Sequence, residues 1–330
     1  MSQYRRFQKK VNKRKRRRRL FIFLVLPILL VVGSATAYGF NLFAKAKTAM
    51  DESFEKIDRA HSPLREGAID PDDDNISILF MGIDETEQRN YGNNTRTDGL
   101  ILATFNKKQK SVKLVSIPRD SYVYIPEEGK ENKINHAHAS GGSKATMETV
   151  EELFDVPVDY YVKLNFKAFM EVVDSLDGVK VNVPYEMYEK NSKDEHNAIH
   201  LEKGVQTLNG EEALAFARTR KQDSDIYRGQ RQQEVMKAIV NKASSVGSIN
   251  KYEGVIKAIG DNMKTNLTFN DMLSFYDYAT KGTKLDIETL TLEGEDYQPG
   301  GTYYYKLNDD SVEKISKKLK KHLEIDSSSN

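Results

Sequence analysis

Eleven arginines and lysines in the first 19 residues run straight into 21 residues without a formal charge, Leu20–Phe40 (LFIFLVLPILLVVGSATAYGF). No other feature constrains the chain as strongly, because a stretch of roughly 20 apolar residues is what a helix needs to cross a bilayer. Small residues at Ser34-Ala35-Thr36-Ala37 would also suit a signal peptidase. The run exceeds the ~7–15-residue core of a signal peptide, which favours an uncleaved anchor. Pro27 is tolerated in a membrane helix. A basic, acid-free tail stays on the cytoplasmic side, so the remainder is expected outside the cell.

Setting the eleven tail cations aside leaves 39 basic against 49 acidic residues, about −10 for the rest of the chain. An acidic external part argues against nucleic-acid binding, and the tail is explained by topology and attraction to anionic inner-leaflet lipid. Cysteine is absent, which excludes disulfides. The expected organisation is a basic cytoplasmic tail (1–19), a transmembrane signal anchor (20–40), a juxtamembrane helix and linker (41–74) and one extracellular folded domain (75–330).

Within that domain, Ile76–Ile83, Leu100–Asn106 and Ser111–Ile117 read as strands, the last two joined in a hairpin by Lys107–Lys110. A helix is expected over Ser143–Phe154 with Ser143 as N-cap, then a strand at Tyr160–Leu164, a helix at Phe166–Leu176 and a strand at Val179–Val183. Asn209 and Glu212 stand in capping-box register ahead of another helix. Further helices fit Tyr227–Ala243, Tyr252–Asp261, Asn270–Thr280 and Ser311–Leu323, with an extended segment at Leu285–Leu292. The sum is an α/β sandwich.

Arg218–Gln233 (RTRKQDSDIYRGQRQQ) concentrates four arginines where a helix begins. Cations there oppose the helix macrodipole unless an anion sits among them, and a phosphorylated ligand would do so. Arg218 and Arg220 point the same way if extended, while Arg228, Gln232, Val235 and Ile239 form one helical stripe. Arginine suits phosphate through bidentate, charge-assisted bonds. The alternative is a salt-bridge network with Asp223, Asp225 and Glu211.

Asp84 follows the first strand and Asp98 precedes the second, so two carboxylates could emerge at neighbouring strand ends and hold Mg²⁺. Otherwise Asp84 is a turn residue and Asp98 a partner of Arg96 or a turn former. Arg119, after Ser116-Ile117-Pro118, projects at a strand end in the same way, with a structural contact to Asp120 as the alternative. His136 and His138 lack the further ligands zinc requires; Lys133, Asn135 and His136 are read as a polar rim or a fixed loop.

Taken in order, the anchor followed by ILFMGID, TRTDG, SIPRDSYV, KINHAHASGG and RTRKQDSDIYRGQRQQ resembles the LytR-CpsA-Psr family of bacterial envelope enzymes. The motifs cover Ile76–Gln233, and the absence of an appended domain is similar to the short members that attach wall teichoic acid. The resemblance implies an αβα sandwich with a central mixed sheet. It implies a polyprenyl-diphosphate-linked anionic glycopolymer as donor, its lipid in an apolar groove, and the muramic acid C6 hydroxyl of peptidoglycan as acceptor. By motif position, Asp84 and Asp98 would hold Mg²⁺, or Mn²⁺ in its place. Arg96, Arg119, Arg218, Arg220, Arg228 and Gln232 would contact the diphosphate, with Arg119, Arg220 and Asp225 closest to catalysis and Asp225 orienting Arg228 or assisting deprotonation. The expected location is the cell membrane of a Gram-positive bacterium, single-pass, with the N-terminus cytoplasmic. Two other readings remain: a membrane-anchored regulator or lipid-binding protein without turnover, and hydrolysis of the same diphosphate by water.

Overall fold

The computed structural model describes residues 39–83, 95–219, 225–243, 252–272, 274 and 285–325, with only the backbone described at 225, 252–254, 259 and 261. The chain divides into two compact units, 1–48 and 49–330. Among the described residues no helix is long and apolar enough to cross a membrane. The expected anchor lies outside the described residues except for Gly39 and Phe40, at the start of helix α1 (39–53).

The second unit is built on a six-stranded mixed sheet. Its central strand β1 (Ile76–Ile83) pairs antiparallel with β2 (Thr97–Asn106), which pairs antiparallel with β3 (Ser111–Ser116). The β2–β3 hairpin turns through Lys107–Lys110, as the sequence predicts, with Lys110 at φ 48°. Four smaller hairpin strands come next in the numbering: β4 (Tyr122–Ile125) with β5 (Lys130–Lys133), and further on β8 (Met187–Glu189) with β9 (Ile199–Leu201). On the other side of β1, β6 (Tyr160–Asn165) runs parallel to it. A separate ribbon pairs β7 (Val179–Val183) with β10 (Gly204–Leu208), and β11 (Met263–Thr265) closes one sheet edge against β6. At the opposite edge β12 (Asp286–Thr291) lies parallel to β3, followed by the hairpin of β13 (Gly294–Tyr297) and β14 (Tyr304–Leu307).

Alternation along the strands divides the core between the two sheet faces. Leu79, Met81, Leu100 and Leu102 bury one face under α2 (His136–Phe154) and α7 (Asp309–Leu323), through Met147, Val150, Phe154, Ile315 and Leu319. Ile101, Ala103, Val112 and Leu114 face the other way, toward Met236 and Val240 of α5 (Asp225–Ala243). On that side α3 (Phe166–Ser175) and α4 (Gly210–Arg218) pack beside the β7–β10 ribbon, and α6 (Tyr252–Asn262) packs on α3. The result is the expected α/β sandwich around a mixed sheet.

The capping box is present, with Asn209 Oδ1 accepting from Glu212 N and Glu212 Oε2 from Asn209 N, both at 2.9 Å. Other expectations need correction. The helix expected from Ser143 begins at His136 and is kinked at Gly141 and Gly142, the latter at φ 67°, ψ −151°. Gly142 adopts a backbone conformation that side chains disfavour, so Ser143 opens a second helical stretch rather than the first. The last helix starts at Asp309 because Asn308, not a later residue, accepts from Ser311 N. Expected helix 270–280 is described at 270–272 and 274 only, where it is helical.

Residues 49–74, read as the end of a juxtamembrane segment and a linker, belong to the same unit as the sheet. Met50 is buried with Ile76 and Ile78, Arg59 pairs with Glu151, and Arg65 with Asp159 at 2.7 Å.

Beside the β2–β3 turn, His322 of α7 is 2% exposed. Its Nδ1 lies 2.8 Å from Thr104 Oγ1 and its Nε2 2.8 Å from Ser111 Oγ. Burial, and then the charge of Lys113, push its pKa from 6.5 down to about 4, so the folded protein holds it neutral. The unfolded chain takes up a proton below its ordinary pKa, so this contribution is complete above pH 6.5 and is lost as pH falls toward 4, on the order of 3 kcal/mol in all. Denaturant melts should show this slope between pH 7 and 4.5 in the natural protein and a flatter one in His322→Gln. Equal slopes would refute the assignment.

Candidate active site

Three element ends converge on one side of the sheet: the start of β2, the exit of β3 and the first turns of α5. Gly229 in α5 marks how close they come, because a Cβ there would sit 2.6 Å from Ser116 Oγ at the end of β3. One turn later the Gln232 amide covers the start of β2, 3.3 Å from where a Cβ on Gly99 would stand. Gln232 Nε2 also reaches Ala217 O at 3.4 Å.

Pro118 carries the chain out of β3 to Arg119, whose Nη1 donates to Asp98 Oδ1. The structure therefore joins a residue read as a phosphate contact to one read as a metal ligand. Arg119 Nε is 3.6 Å from Asp120 Oδ2, and Lys133 Nζ is 2.9 Å from Asp120 Oδ1. Asp98 thus pairs with Arg119 rather than Arg96, and the Asp120 alternative is also present at longer range. The Arg119 and Asp98 side chains are 26% and 31% exposed, open enough to meet a ligand.

Arg96 is exposed, one residue ahead of β2. Its charge reaches His136, which is held below the ordinary histidine range by burial first and Arg96 second. Arg218 ends α4, its guanidinium 5.2 Å from the Phe166 ring centre. Arg228 is 5% exposed in the first turn of α5 and Val235 two turns on is 1% exposed, so both are packed, while Gln232 and Ile239 on the same stripe are half-buried. Asp84 and Arg220 lie outside the described residues, as does the Asp225 side chain.

Arg231 belongs to the fold. Its Nε donates to Phe216 O at 3.0 Å and its Nη2 to Thr219 O at 2.6 Å, placing a buried cation on carbonyls at the C-terminal end of α4. That is where the helix dipole favours positive charge.

The KINHAH segment, read as a polar rim or a fixed loop, instead runs from the end of β5 into the start of α2 and braces the site from there. His138 Nδ1 donates to Thr95 O at 2.7 Å, holding the approach to Arg96, and Asn135 N donates to Arg119 O at 3.2 Å. Sequence reasoning assigned neither His138 nor Asp120 to the site; the only signal was their proximity to basic motif residues.

A match to the model of the LytR_cpsA_psr family spans residues 38–321. The chain belongs to that family. Among relatives, it is 40% identical over 320 residues to the polyisoprenyl-teichoic acid–peptidoglycan teichoic acid transferase TagT of Bacillus subtilis, covering 96% of this chain and 98% of that one. TagU of the same organism, a transferase of the same name, is 38% identical over 95% of this chain and 99% of its own. A solved structure of TagT bound to LI-WTA superposes with a TM-score of 0.70 at 42% identity, covering 81% of this chain and 98% of that one. Another, TagT with bound octaprenyl pyrophosphate lipid, gives 0.66 at 39% identity, with the same coverage of 81% and 98%. The family match covers every described residue of the candidate site.

Proposed function

We propose that this protein transfers wall teichoic acid from a polyprenyl-diphosphate-linked donor to the muramic acid C6 hydroxyl of peptidoglycan, releasing polyprenyl phosphate. The observation that carries the reading is the Arg119–Asp98 pair at the strand ends beside Gln232, in a chain 40% identical to a named teichoic acid transferase. The acceptor oxygen attacks the phosphorus that bears the glycan. The bond from that phosphorus to the bridging oxygen breaks, polyprenyl phosphate departs, and the hydroxyl proton is lost to a base, for which Asp225 is the candidate.

Charge that develops on the phosphoryl and leaving oxygens is met by Arg96, Arg119, Arg218, Arg220 and Arg228, with Gln232 as a neutral donor. The lipid groove that the family resemblance implies would have to open along the sheet face under α5, where partly buried Phe80, Phe105, Met236, Val240 and Leu285 pack on Ile101, Ala103 and Leu114. Asp98 fits a hard cation, since it supplies carboxylate oxygen at a partly exposed strand end. Asp84 would complete the pair. Bound Mg²⁺, or Mn²⁺, would neutralise diphosphate charge. Asp98→Asn should raise the Mg²⁺ concentration for half-maximal turnover by about tenfold or more, and an unchanged titration would remove Asp98 from metal binding.

The Leu20–Phe40 run supports a single-pass anchor with this unit outside the cell, where donor lipid and acceptor wall meet. The direct test supplies full-length protein with Mg²⁺, a lipid-diphosphate donor and peptidoglycan. Release of polyprenyl phosphate with polymer appearing in peptidoglycan is expected. Release without acceptor, at the same rate and with no polymer attached, would instead make the enzyme a hydrolase.

A further inference from the structure

Beside the arginine bank, β4 and the β13–β14 hairpin place tyrosines on their outer faces. Alternation decides this: Val123, Ile125 and Tyr305 turn into the core, so Tyr122 and Tyr304 turn out. The Tyr122 ring centre is 4.8 Å from Tyr304 and 5.5 Å from Tyr297. Tyr303, next in the array, is 37% exposed. None of Tyr122, Tyr297, Tyr303 and Tyr304 contributes to a hydrophobic core cluster.

The array is continuous with the candidate active site. Tyr305 N donates to Asp120 O at 2.8 Å, fixing the hairpin to the residue that follows Arg119. Lys133 Nζ, 2.9 Å from Asp120 Oδ1, lies 5.6 Å from the Tyr304 ring centre and 5.9 Å from that of Tyr303. A chain of contacts thus runs from Arg119 through Asp120 and Lys133 to the rings. The charges nearby are mixed: Lys133 and Lys306 are accompanied by Glu131, whose charge acts on Tyr122, and by Asp296, which accepts from Tyr303 Oη at 2.9 Å.

We propose that this tyrosine face binds the glycan strand of the peptidoglycan acceptor. The inference rests on the transferase reading, which requires an acceptor beside the phosphate site. Tyrosine presents a rigid apolar ring with a polar tip at little conformational cost, and the negative ring face attracts the C–H bonds of a pyranose. A polyphosphate would need a surplus of cations, which the mixed charge does not offer. The neutral, amphipathic sugar backbone of the acceptor matches both the rings and the charge balance.

The test is co-sedimentation of full-length protein, in detergent, with peptidoglycan sacculi stripped of teichoic acid, alongside the KM for acceptor and for donor. Tyr297→Ala/Tyr304→Ala should weaken sacculus binding and raise the acceptor KM by about tenfold, with the donor KM unchanged. Tyr297→Phe/Tyr304→Phe should stay within about twofold of the natural protein, since it keeps the ring faces. Tyr303→Ala, at an exposed position, gives a second reading and should weaken binding about threefold. Unchanged sacculus binding in both alanine variants would overturn the proposal, as would a loss confined to soluble teichoic acid polymer. Ring-dependent sacculus binding without any transfer would overturn the transferase reading and leave the tyrosine face standing.

Discussion

Arg119→Ala lowers the rate of transfer at saturating donor by on the order of 10²–10³-fold, while the protein melts within a few degrees of the natural one. Two magnitudes support this separation. The Arg119–Asp98 pair is about a quarter to a third exposed on each side, and ion pairs of that kind contribute at most about 1 kcal/mol to stability. A preorganised donor to a developing oxyanion is worth roughly 3–4 kcal/mol in the transition state. Asp120 keeps Lys133 at 2.9 Å when Arg119 is gone, so no buried carboxylate loses its last cation. Arg119→Lys keeps the charge but loses the planar fork, and its rate should fall between the two. Turnover measured with Tm on the same preparations decides the matter: a near-natural rate in Arg119→Ala assigns the residue to structure. Arg231→Ala should behave in the opposite sense, lowering Tm first, because Phe216 O and Thr219 O lose a buried donor.

What the sequence made legible follows from how local each signal was. Ile76–Ile83 is apolar but for Ser77, and Ser111–Ser116 follows a lysine-rich turn, so both strands, and the hairpin of the latter with β2, could be read directly. Asn209 and Glu212 signal their helix start through neighbouring residues alone. By contrast β5 reads Lys-Glu-Asn-Lys and is defined by main-chain bonds to β4, which leave no trace in side-chain pattern. The site divides in the same way. Arginine clustering marked Arg218 and Arg228, but the choice of Arg119 over Arg96 as the partner of Asp98 depends on β2 and β3 lying side by side. Arg231 looked equivalent to Arg228 in sequence; its hydrogen bonds to the carbonyls at the end of α4 set it apart as part of the fold. His138 entered only because its ring reaches a carbonyl 43 positions earlier.

The same distinction between local pattern and distant partner sets the largest stability effect. Arg59 lies in a stretch whose sequence resembles a linker, yet its guanidinium meets Glu151 of α2 in two hydrogen bonds, 2.7 and 3.1 Å long. The side chains are only 9% and 5% exposed. Glu151 Oε1 also accepts from Val158 N at 2.8 Å, so this carboxylate joins the segment, the helix and the approach to β6. Glu151→Ala strands a buried cation and a buried N–H together, and the expected cost is about 3–5 kcal/mol. Arg59→Met/Glu151→Leu removes both charges and should recover much of that loss, since an apolar pair of similar volume avoids their desolvation. Chemical denaturation of the single and double variants measures the difference. If residues 54–74 were a free tether, Glu151→Ala would cost only the Val158 N–H bond and the substitution at Arg59 would recover nothing; a larger loss rescued by the second substitution makes the segment part of the catalytic unit's fold.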